Sequence, residues 1–461
     1  MKRLLTGLTI FLAAVAAPAA TPASPPLAAH QEPRGIGNLV APGDRVQLVY
    51  AVDTDGVKSP AGTAYVRNDG QRSFTRLPLR LTKHERTLVA AVPASLIRGH
   101  ELLYYAVVRD PQTGRTATIP SAGARAPQSA WILQKPVLVR LGVHRFGRVW
   151  APGTVVAQIG ASQVGWQTEG DTFGPQTFLV GRDRSIWLDD GLNNRLLVFR
   201  PGAPKSVARS VPLPDRSADS DVALGPAGSV YVTGGVGVGA NHRNVLYRLS
   251  ASGKVLWRSF LAGERNGSFL LGANSPIRLG PDGTLYALPG MPGRPGGEHA
   301  WMPVATPDGR PIPVAQQIAR AAWPGQPVPG GLRLVSETYT AQVDKAPREA
   351  RFALVDRRGR LVRAWRVVSR TDINFGYATP ELVGGDPVVV LDVTAQTKAG
   401  FKWEELVLRL GRNGTRARFS LRHAVFGDNI LADVRIGPDG NVYQLASSPQ
   451  TGVTISRYSL R

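Results

Sequence analysis

A short motif that recurs at long intervals constrains the fold of this chain more than any other sequence feature. Two apolar segments flank a Gly-Pro-x-Gly turn, and a tyrosine follows each turn at the same offset. Proline favours φ near −65° and glycine accepts positive φ, so each copy predicts two antiparallel strands joined tightly. The copies are Val222-Ala-Leu-Gly-Pro-Ala-Gly-Ser-Val-Tyr-Val, Ile277-Arg-Leu-Gly-Pro-Asp-Gly-Thr-Leu-Tyr-Ala and Val434-Arg-Ile-Gly-Pro-Asp-Gly-Asn-Val-Tyr-Gln.

The spacing of the motif gives the number of repeat units. A diverged copy has Arg184 at the position of the last glycine, 44 residues before Gly228, and Gly283 follows 55 residues after Gly228. Gly440 comes 157 residues later, about three such intervals, so two weaker units are expected in between. Their turns are assigned to the segments that begin at Gly330-Gly331 and at Gly385-Asp-Pro.

Six units of about fifty residues, each with three or four strands, predict a six-bladed β-propeller over residues 152–461. A solenoid is the alternative, but its repeats are shorter and it needs caps. The last unit has only three strands, and the run 154–159 is expected to supply its fourth. This pairing would close the ring and remove two exposed sheet edges. In the fourth unit the inner strand is unclear, and a short helix is expected over 315–323.

The segment 40–134 alternates short β-type runs with turn signals such as Asp53-Thr-Asp-Gly and Asn68-Asp-Gly. About seven strands in this length resemble an immunoglobulin-like or fibronectin-like module. The resemblance implies a β-sandwich that spaces or binds, and the fold class is therefore all-β. Linkers are expected over 30–39 and 135–151. The chain has no cysteine, which excludes disulfides, thiolate metal sites and a cysteine nucleophile.

The first residues are typical of a secretory signal peptide, assigned to residues 1–29. Lys2 and Arg3 precede an apolar run from Leu4 to Ala17, and small residues follow. An uncleaved membrane anchor is the alternative, although the run is shorter than a membrane-spanning helix requires. We expect a secreted protein, extracellular or associated with the cell envelope, with no transmembrane segment after removal of the signal.

The net charge is +22, of which Lys2 and Arg3 contribute two, and the isoelectric point is about 10.9. Such a charge favours attraction to anionic polymers or lipid headgroups outside the cell. A general arginine bias spread over a solvated surface is the alternative. No run of five consecutive basic residues and no nucleic-acid motif occurs, so nucleic acid is not an expected partner. The expected partners are a protein, a glycan or an anionic cell-envelope polymer.

Several units resemble known propeller repeats. The unit 175–202, with Asp189, Asn193, Asn194 and Arg195, resembles an NHL repeat. The turn Ser252-Gly-Lys-Val-Leu-Trp instead resembles pyrroloquinoline-quinone-type repeats. The chain is also similar to lactonase-like six-bladed propellers, and this resemblance implies a divalent metal held by Glu, Asn and Asp side chains near the central channel.

The segments that lead into the inner strands are expected to surround one mouth of the channel, where ligands usually bind. Carboxylates that converge in so basic a protein suggest a calcium ion. The alternative is that these residues cap strands or pair with Arg278 and Arg435. Two histidines in long insertions are candidates for ligand binding, together with a threonine at the mouth. The proposed metal ligands are Asp221, Glu381, Asp433 and Asn274, and the proposed ligand-binding residues are His242, His299 and Thr177.

Three functions remain open at this point because propellers host many activities. The first is an exported binding or scaffolding protein whose propeller face binds a protein, a glycan or an envelope polymer. The second is a metal-dependent, lactonase-like hydrolase that uses the mouth carboxylates. A quinone-dependent dehydrogenase is a weaker third, since no His/Arg cofactor set is recognisable. No Gly-x-Ser-x-Gly elbow supports nucleophilic catalysis.

Overall fold

A computed structural model places most of the chain in an all-β arrangement. No helix among the described residues has both the length and the hydrophobicity to cross a membrane. The predicted signal peptide lies outside the described residues up to position 25. The described residues are 26–31, 36–82, 87–148, 153–214, 221–236, 243–262, 264–265, 268–269, 271, 275–288, 301–320, 325–339, 346–375, 379–398, 400–427 and 432–460.

The N-terminal part forms one nine-stranded sheet that curves into a half-barrel. Alternate side chains point inward, and Leu48, Tyr50, Leu88 and Leu102 are fully buried in its core. Several strands follow apolar runs of the sequence. Eight of them pair along one path and Thr116–Ile119 branches from Glu101–Arg109, so an immunoglobulin-like sandwich is not specifically seen. The strands are Ala29–Gln31, Leu39–Val40, Gln47–Val52, Ala61–Asn68, Thr75–Leu81, Thr87–Ala91, Glu101–Arg109, Thr116–Ile119 and Gln128–Ile132.

The remainder of the chain forms the six-bladed propeller that the repeat predicts. Blades 1 and 2 each have four antiparallel strands, and blade 3 has three among the described residues, with the inner strand first in every blade. Their strands are Phe178–Val180, Ile186–Asp190, Arg195–Phe199 and Val207–Pro212 in blade 1; Val222–Leu224, Val230–Val236, Arg243–Leu249 and Val255–Phe260 in blade 2; Ile277–Leu279, Leu285–Ala287 and Met302–Ala305 in blade 3.

Blades 4 and 5 each carry one additional strand. In blade 4 it comes from the predicted linker 135–151: Val137–Gly142 pairs in parallel with the outermost strand, so this segment is part of the sheet. In blade 5 the additional strand Asp372–Phe375 pairs with the second strand. The other strands are Gln326–Val328, Leu332–Tyr339, Glu349–Val355 and Leu361–Ser369 in blade 4; Glu381–Val383, Asp386–Thr397, Gly400–Gly411 and Gly414–Arg422 in blade 5; Val434–Ile436, Val442–Ser448 and Gly452–Tyr458 in blade 6.

The ring closes as the sequence predicts. Thr154–Ile159 pairs with Gly452–Tyr458 and becomes the fourth strand of blade 6. A helix, Val314–Arg320, lies before blade 4, where a short helix was expected. The remaining elements are a hairpin of Glu264–Arg265 and Ser268–Phe269 and the 3₁₀ turns Ala94–Leu96, Gly123–Arg125, Ala161–Gln163, Gly191–Asn193, Pro226–Gly228 and Pro329–Gly331.

The motif turns adopt the backbone conformation that their glycines permit. Gly228, Gly283 and Gly440 have φ of 71°, 81° and 75°, and Arg184 takes φ of 65° at the equivalent position of blade 1. After the turns of blades 1, 2 and 6 the aromatic side chain packs in an apolar cluster between sheets, and Tyr231 is fully buried. The recurring motif therefore builds the same hairpin at the centre of four blades.

A buried ion-pair network joins the half-barrel to blade 4. The guanidinium of Arg351 is fully buried, and its nitrogen atoms donate to both carboxylate oxygens of Asp44 at 2.6 and 2.8 Å. It also donates to Glu349 at 2.6 Å and lies 3.7 Å from the ring centre of Tyr339. Trp131 of the half-barrel donates to the carbonyl oxygen of Gly359 at 2.7 Å. The N-terminal sheet is thus tied to the propeller by polar contacts and by a shared apolar cluster.

Candidate functional site

The predicted mouth residues Thr177 and Asp221 are buried together at the ends where the inner strands of blades 1 and 2 begin. The backbone of Asp221 is fixed by Thr233, whose hydroxyl accepts from its N–H at 2.8 Å and whose N–H donates to its carbonyl at 3.0 Å. The carboxylate then accepts from the Thr177 hydroxyl at 3.2 Å and from the N–H of Ile277 at 2.9 Å. Asp221 therefore links the inner strands of blades 1, 2 and 3.

Arg435 extends this chain of contacts to blade 6. It lies in the inner strand Val434–Ile436, and only 2% of the residue is exposed. Its Nη2 atom donates to the Thr177 hydroxyl at 2.7 Å and to a carboxylate oxygen of Asp221. Because both side chains are buried, the charge-assisted contact between Arg435 and Asp221 is strong and holds both side chains in place.

Blades 3, 4 and 5 contribute a second set of polar side chains. The Nε atom of Arg278 lies 3.9 Å from a carboxylate oxygen of Glu381, which is beyond hydrogen-bond reach. A hydrogen bond from Gln326 favours the charged form of Glu381. One residue of each blade thus belongs to a group that we call the axial network: Thr177, Asp221, Arg278, Gln326, Glu381 and Arg435, in the order of blades 1 to 6.

The charges of the axial network perturb one another. Burial lowers the pKa of Arg278 to about 10, and the positive charge of Arg435 acts in the same direction. Burial raises the pKa of Glu381, and the two arginines oppose this effect. The side chain of Arg278 is 15% exposed and that of Glu381 is 31% exposed, so a part of each side chain reaches solvent. A group that enters the mouth would meet these two side chains.

Several polar atoms of the axial network are buried and have no hydrogen bond within the described residues. They are Nε and Nη2 of Arg278, Nε of Arg435 and Oε1 of Gln326. Buried donors are almost always paired in folded proteins, and guanidinium donors pair best with carboxylate or phosphate oxygens. The arrangement can therefore accept an anionic oxygen between the arginines of blades 3 and 6.

Asp433 belongs to a different group of side chains from the other proposed metal ligands. It lies between blades 5 and 6, where its Oδ2 atom is 3.3 Å from Nδ1 of His423. The same Nδ1 is 3.0 Å from Oε1 of Glu405, and Asp392 is paired with Glu405 on the neighbouring strand. We call these four residues the interblade cluster. The structure joins Thr177 with Asp221 and places Glu381 beside Arg278, but it gives Asp433 other partners.

The interblade cluster confines three carboxyl groups and one imidazole in a buried space. Burial raises the pKa of Asp392 to about 7, and the charge of Asp433 adds to the effect. The pKa of Glu405 is raised well above its usual range by burial and by the charge of Asp433. Ligand atoms of Glu405, His423 and Asp433 all lie within 4.8 Å of one another, so these residues could hold a metal ion.

Other predicted residues lie outside the described part of the chain, and other functional candidates were missed from sequence. Asn274, His242 and His299 fall at positions that the structure does not describe. Glu405 and His423 were not predicted as site residues. The sequence does contain a signal for them: two successive glutamates interrupt an apolar strand. A charged residue at a core position of a strand often indicates a functional site.

A cavity of about 590 Å³ lies at the other end of the inner strands, between blades 3 and 4. It is lined at the turns by Asp282, Arg333, Asp356 and Arg357, together with apolar and glycine residues. Burial lowers the pKa of Arg333 there. The axial network and this cavity therefore lie at opposite ends of the inner strands.

Comparison with known proteins adds no family to these observations. No protein-family model and no curated protein matches the chain. The fold and the two polar groups are consequently the basis for any statement about function.

Proposed function

We propose that this is an exported binding protein whose propeller mouth captures an anionic group, a carboxylate or a phosphate, of a cell-envelope polymer. The observation that carries the proposal is Arg278, whose Nε and Nη2 atoms are buried and have no hydrogen-bond partner in the part of the chain that the structure describes. In the same network the Nε atom of a second guanidinium, Arg435, is buried with no hydrogen bond to any described residue. Two guanidinium groups that converge on one point select a planar or tetrahedral oxyanion.

Charge over the whole chain supports the same class of ligand. The net charge of +22 raises the local concentration of polyanions and speeds their association, whereas the axial arginines would supply the specific contact. Glu381 is the competing internal anion, yet its carboxylate stays 3.9 Å from Arg278. An incoming oxyanion at hydrogen-bond distance would therefore replace a weak contact with a stronger one.

A hydrolase that uses these carboxylates and a bound calcium is the less favoured alternative. Asp221 already accepts hydrogen bonds from Thr177, from Arg435 and from a backbone N–H, so few of its lone pairs remain for a cation. Two arginines beside the carboxylates also repel a divalent ion. We also propose that the propeller is related to lactonase-like or NHL-repeat propellers. The half-barrel would then act as a spacer, as immunoglobulin-like modules do.

Calorimetric titration with inorganic phosphate and with malonate tests the proposal and separates the two sources of the anion. In low-salt buffer the wild-type protein is expected to bind at least one of them at a single site. Arg278→Gln should weaken this binding at least tenfold, because each charge-assisted hydrogen bond contributes about 1.5–3 kcal/mol.

The matched control is Arg258→Gln, which removes the same charge from an exposed position on the outer strand of blade 2. It should change the affinity less than twofold. Equal losses in both variants would show that net charge alone attracts the anion. An absence of saturable binding by the wild-type protein would overturn the proposal.

A further inference from the structure

The interblade cluster has the atom spacing of a coordination shell. Nδ1 of His423 lies 3.0 Å from Glu405 Oε1 and 3.3 Å from Asp433 Oδ2. Tetrahedral ligands bonded to zinc at about 2.0–2.2 Å lie about 3.3–3.6 Å apart. The two distances from the imidazole nitrogen are therefore within a few tenths of an ångström of this spacing, and all three ligand atoms lie within 4.8 Å of one another.

Asp433 supplies an independent sign that a positively charged ligand fits here. It is 4% exposed, and its Oδ2 atom has no donor at good hydrogen-bond geometry among the described residues, while the side chains of Glu405 and His423 lie beside the carboxylate. This oxygen lies 3.3 Å from Nδ1 of His423, which is within ion-pair distance but longer than a good hydrogen bond. A buried carboxylate oxygen without a donor is costly, and metal coordination satisfies it.

The charge balance of the cluster points the same way. Asp392, Glu405 and Asp433 bring three carboxyl groups to one imidazole, and no arginine or lysine pairs with any of them among the described contacts. A divalent cation would bring positive charge to all of these side chains and would displace protons from the carboxyl groups that coordinate it.

Neighbouring side chains hold the three ligand atoms in place. Gln444 donates from Nε2 to the second oxygen of Glu405 at 2.9 Å and to the carbonyl of Arg422 at 2.6 Å. The indole of Trp403 stacks on the His423 ring, with centroids 3.8 Å apart and planes 7° from parallel. Such outer contacts orient metal ligands in proteins and fix the face that the imidazole presents.

We propose that Glu405, His423 and Asp433 bind a divalent cation of the zinc class between blades 5 and 6, with Asp392 as a third carboxylate beside it. The imidazole nitrogen favours zinc over calcium, which takes oxygen ligands. The ligands come from the third strand of blade 5, from the residue after its outer strand and from the residue before the inner strand of blade 6. The ion would therefore brace two adjacent blades, and this role does not depend on anion binding at the mouth.

Zinc titration of the chelator-treated full chain tests the site. The wild-type protein should retain one zinc per chain after desalting, and zinc near one hundred times its Kd should raise the Tm by about 5 °C. Calcium at the same excess should not. The emission of Trp403 should change on zinc binding, and this change should be lost in Trp403→Phe.

Two variants separate a metal site from a hydrogen-bonded polar network. Glu405→Gln and Asp433→Asn should each abolish zinc retention, yet without metal they should melt at or above the wild-type Tm, because one of three crowded carboxylates is gone. Asp372→Asn, which removes a more exposed carboxylate from blade 5, should bind zinc like the wild-type protein.

Three outcomes would overturn the proposal. The first is a wild-type protein that neither retains zinc nor gains Tm. The second is stabilisation by calcium but not by zinc. The third is zinc retention in both Glu405→Gln and Asp433→Asn that equals the wild-type value.

Discussion

The buried guanidinium that joins the half-barrel to blade 4 gives the sharpest stability prediction. Arg351 is fully buried, bridges Asp44 and Glu349, and also donates to the carbonyl of Leu39 at 2.8 Å. Arg351→Met would keep most of the side-chain volume but leave a buried Asp44 carboxylate, 5% exposed, without its cation. Removing one partner of a buried ion pair typically costs about 3–5 kcal/mol, and we expect a loss in that range.

A double-mutant cycle isolates the ion pair from the loss of packing against Tyr339. Asp44→Asn, Arg351→Met and the double variant would be compared by urea unfolding at pH 7, with calorimetry to show which transition moves. The double variant should lose at least 2 kcal/mol less than the sum of the single losses, because the orphaned charge is absent. An additive cycle, or a loss below about 1 kcal/mol in Arg351→Met, would refute this account of the junction.

Three further predictions concern the mouth, the closing strand and the motif turn. Burial raises the pKa of Glu381, and below that pKa its carboxyl group is neutral and does not compete with an anion for Arg278. Anion affinity should therefore fall as the pH rises through the pKa of Glu381. In calorimetric titrations, Glu381→Gln should bind phosphate without this pH dependence. Ile455 is fully buried under the closing strand, so Ile455→Ala should lower the unfolding free energy by about 2–5 kcal/mol in urea, and a loss below 1 kcal/mol would contradict its core position. Arg184 has φ of 65°, so Arg184→Gly should stabilise by up to about 1 kcal/mol in the same assay, and destabilisation would count against strain at this turn.

The propeller could be predicted because the sequence motif that specifies each blade is short and recurs along the chain. Each motif turn needs only its own glycine, as at Gly228 and Gly440, and the copies reinforce one another. The closing strand 154–159 followed from counting strands in the last unit. Local sequence does not, however, specify which edge a strand meets. Val139 and Leu141 alternate as a strand should, but their partner lies more than two hundred residues away, so the segment was assigned to a linker.

The half-barrel shows the same difference between what local sequence indicates and what distant contacts decide. Apolar runs in its sequence indicate several of its strands, as at Glu101–Arg109 and Thr116–Ile119. Their pairing into one curved sheet depends on contacts between runs that alternation alone does not order. Strand content was therefore predictable, whereas the choice between a sandwich and a half-barrel was not.

The candidate site was predicted in part, for a reason that the repeat itself explains. Asp221 and Asp433 occupy equivalent positions before inner strands, so sequence alone treats them as one set. Their neighbours differ: Asp221 meets the guanidinium of Arg435, whereas Asp433 meets His423 at the end of blade 5. Equivalent backbone positions thus acquire different chemistry from side chains that the repeat does not constrain.

The way the ring is fastened has a consequence for how the protein is made. Two early segments, Val137–Gly142 and Thr154–Ile159, complete blades whose other strands are translated some two to three hundred residues later. Both keep open hydrogen-bonding edges until those later strands have left the ribosome. This delay gives a holding chaperone a defined period of action, and a chain that stops before Gly452 would keep the second of these edges exposed to self-association.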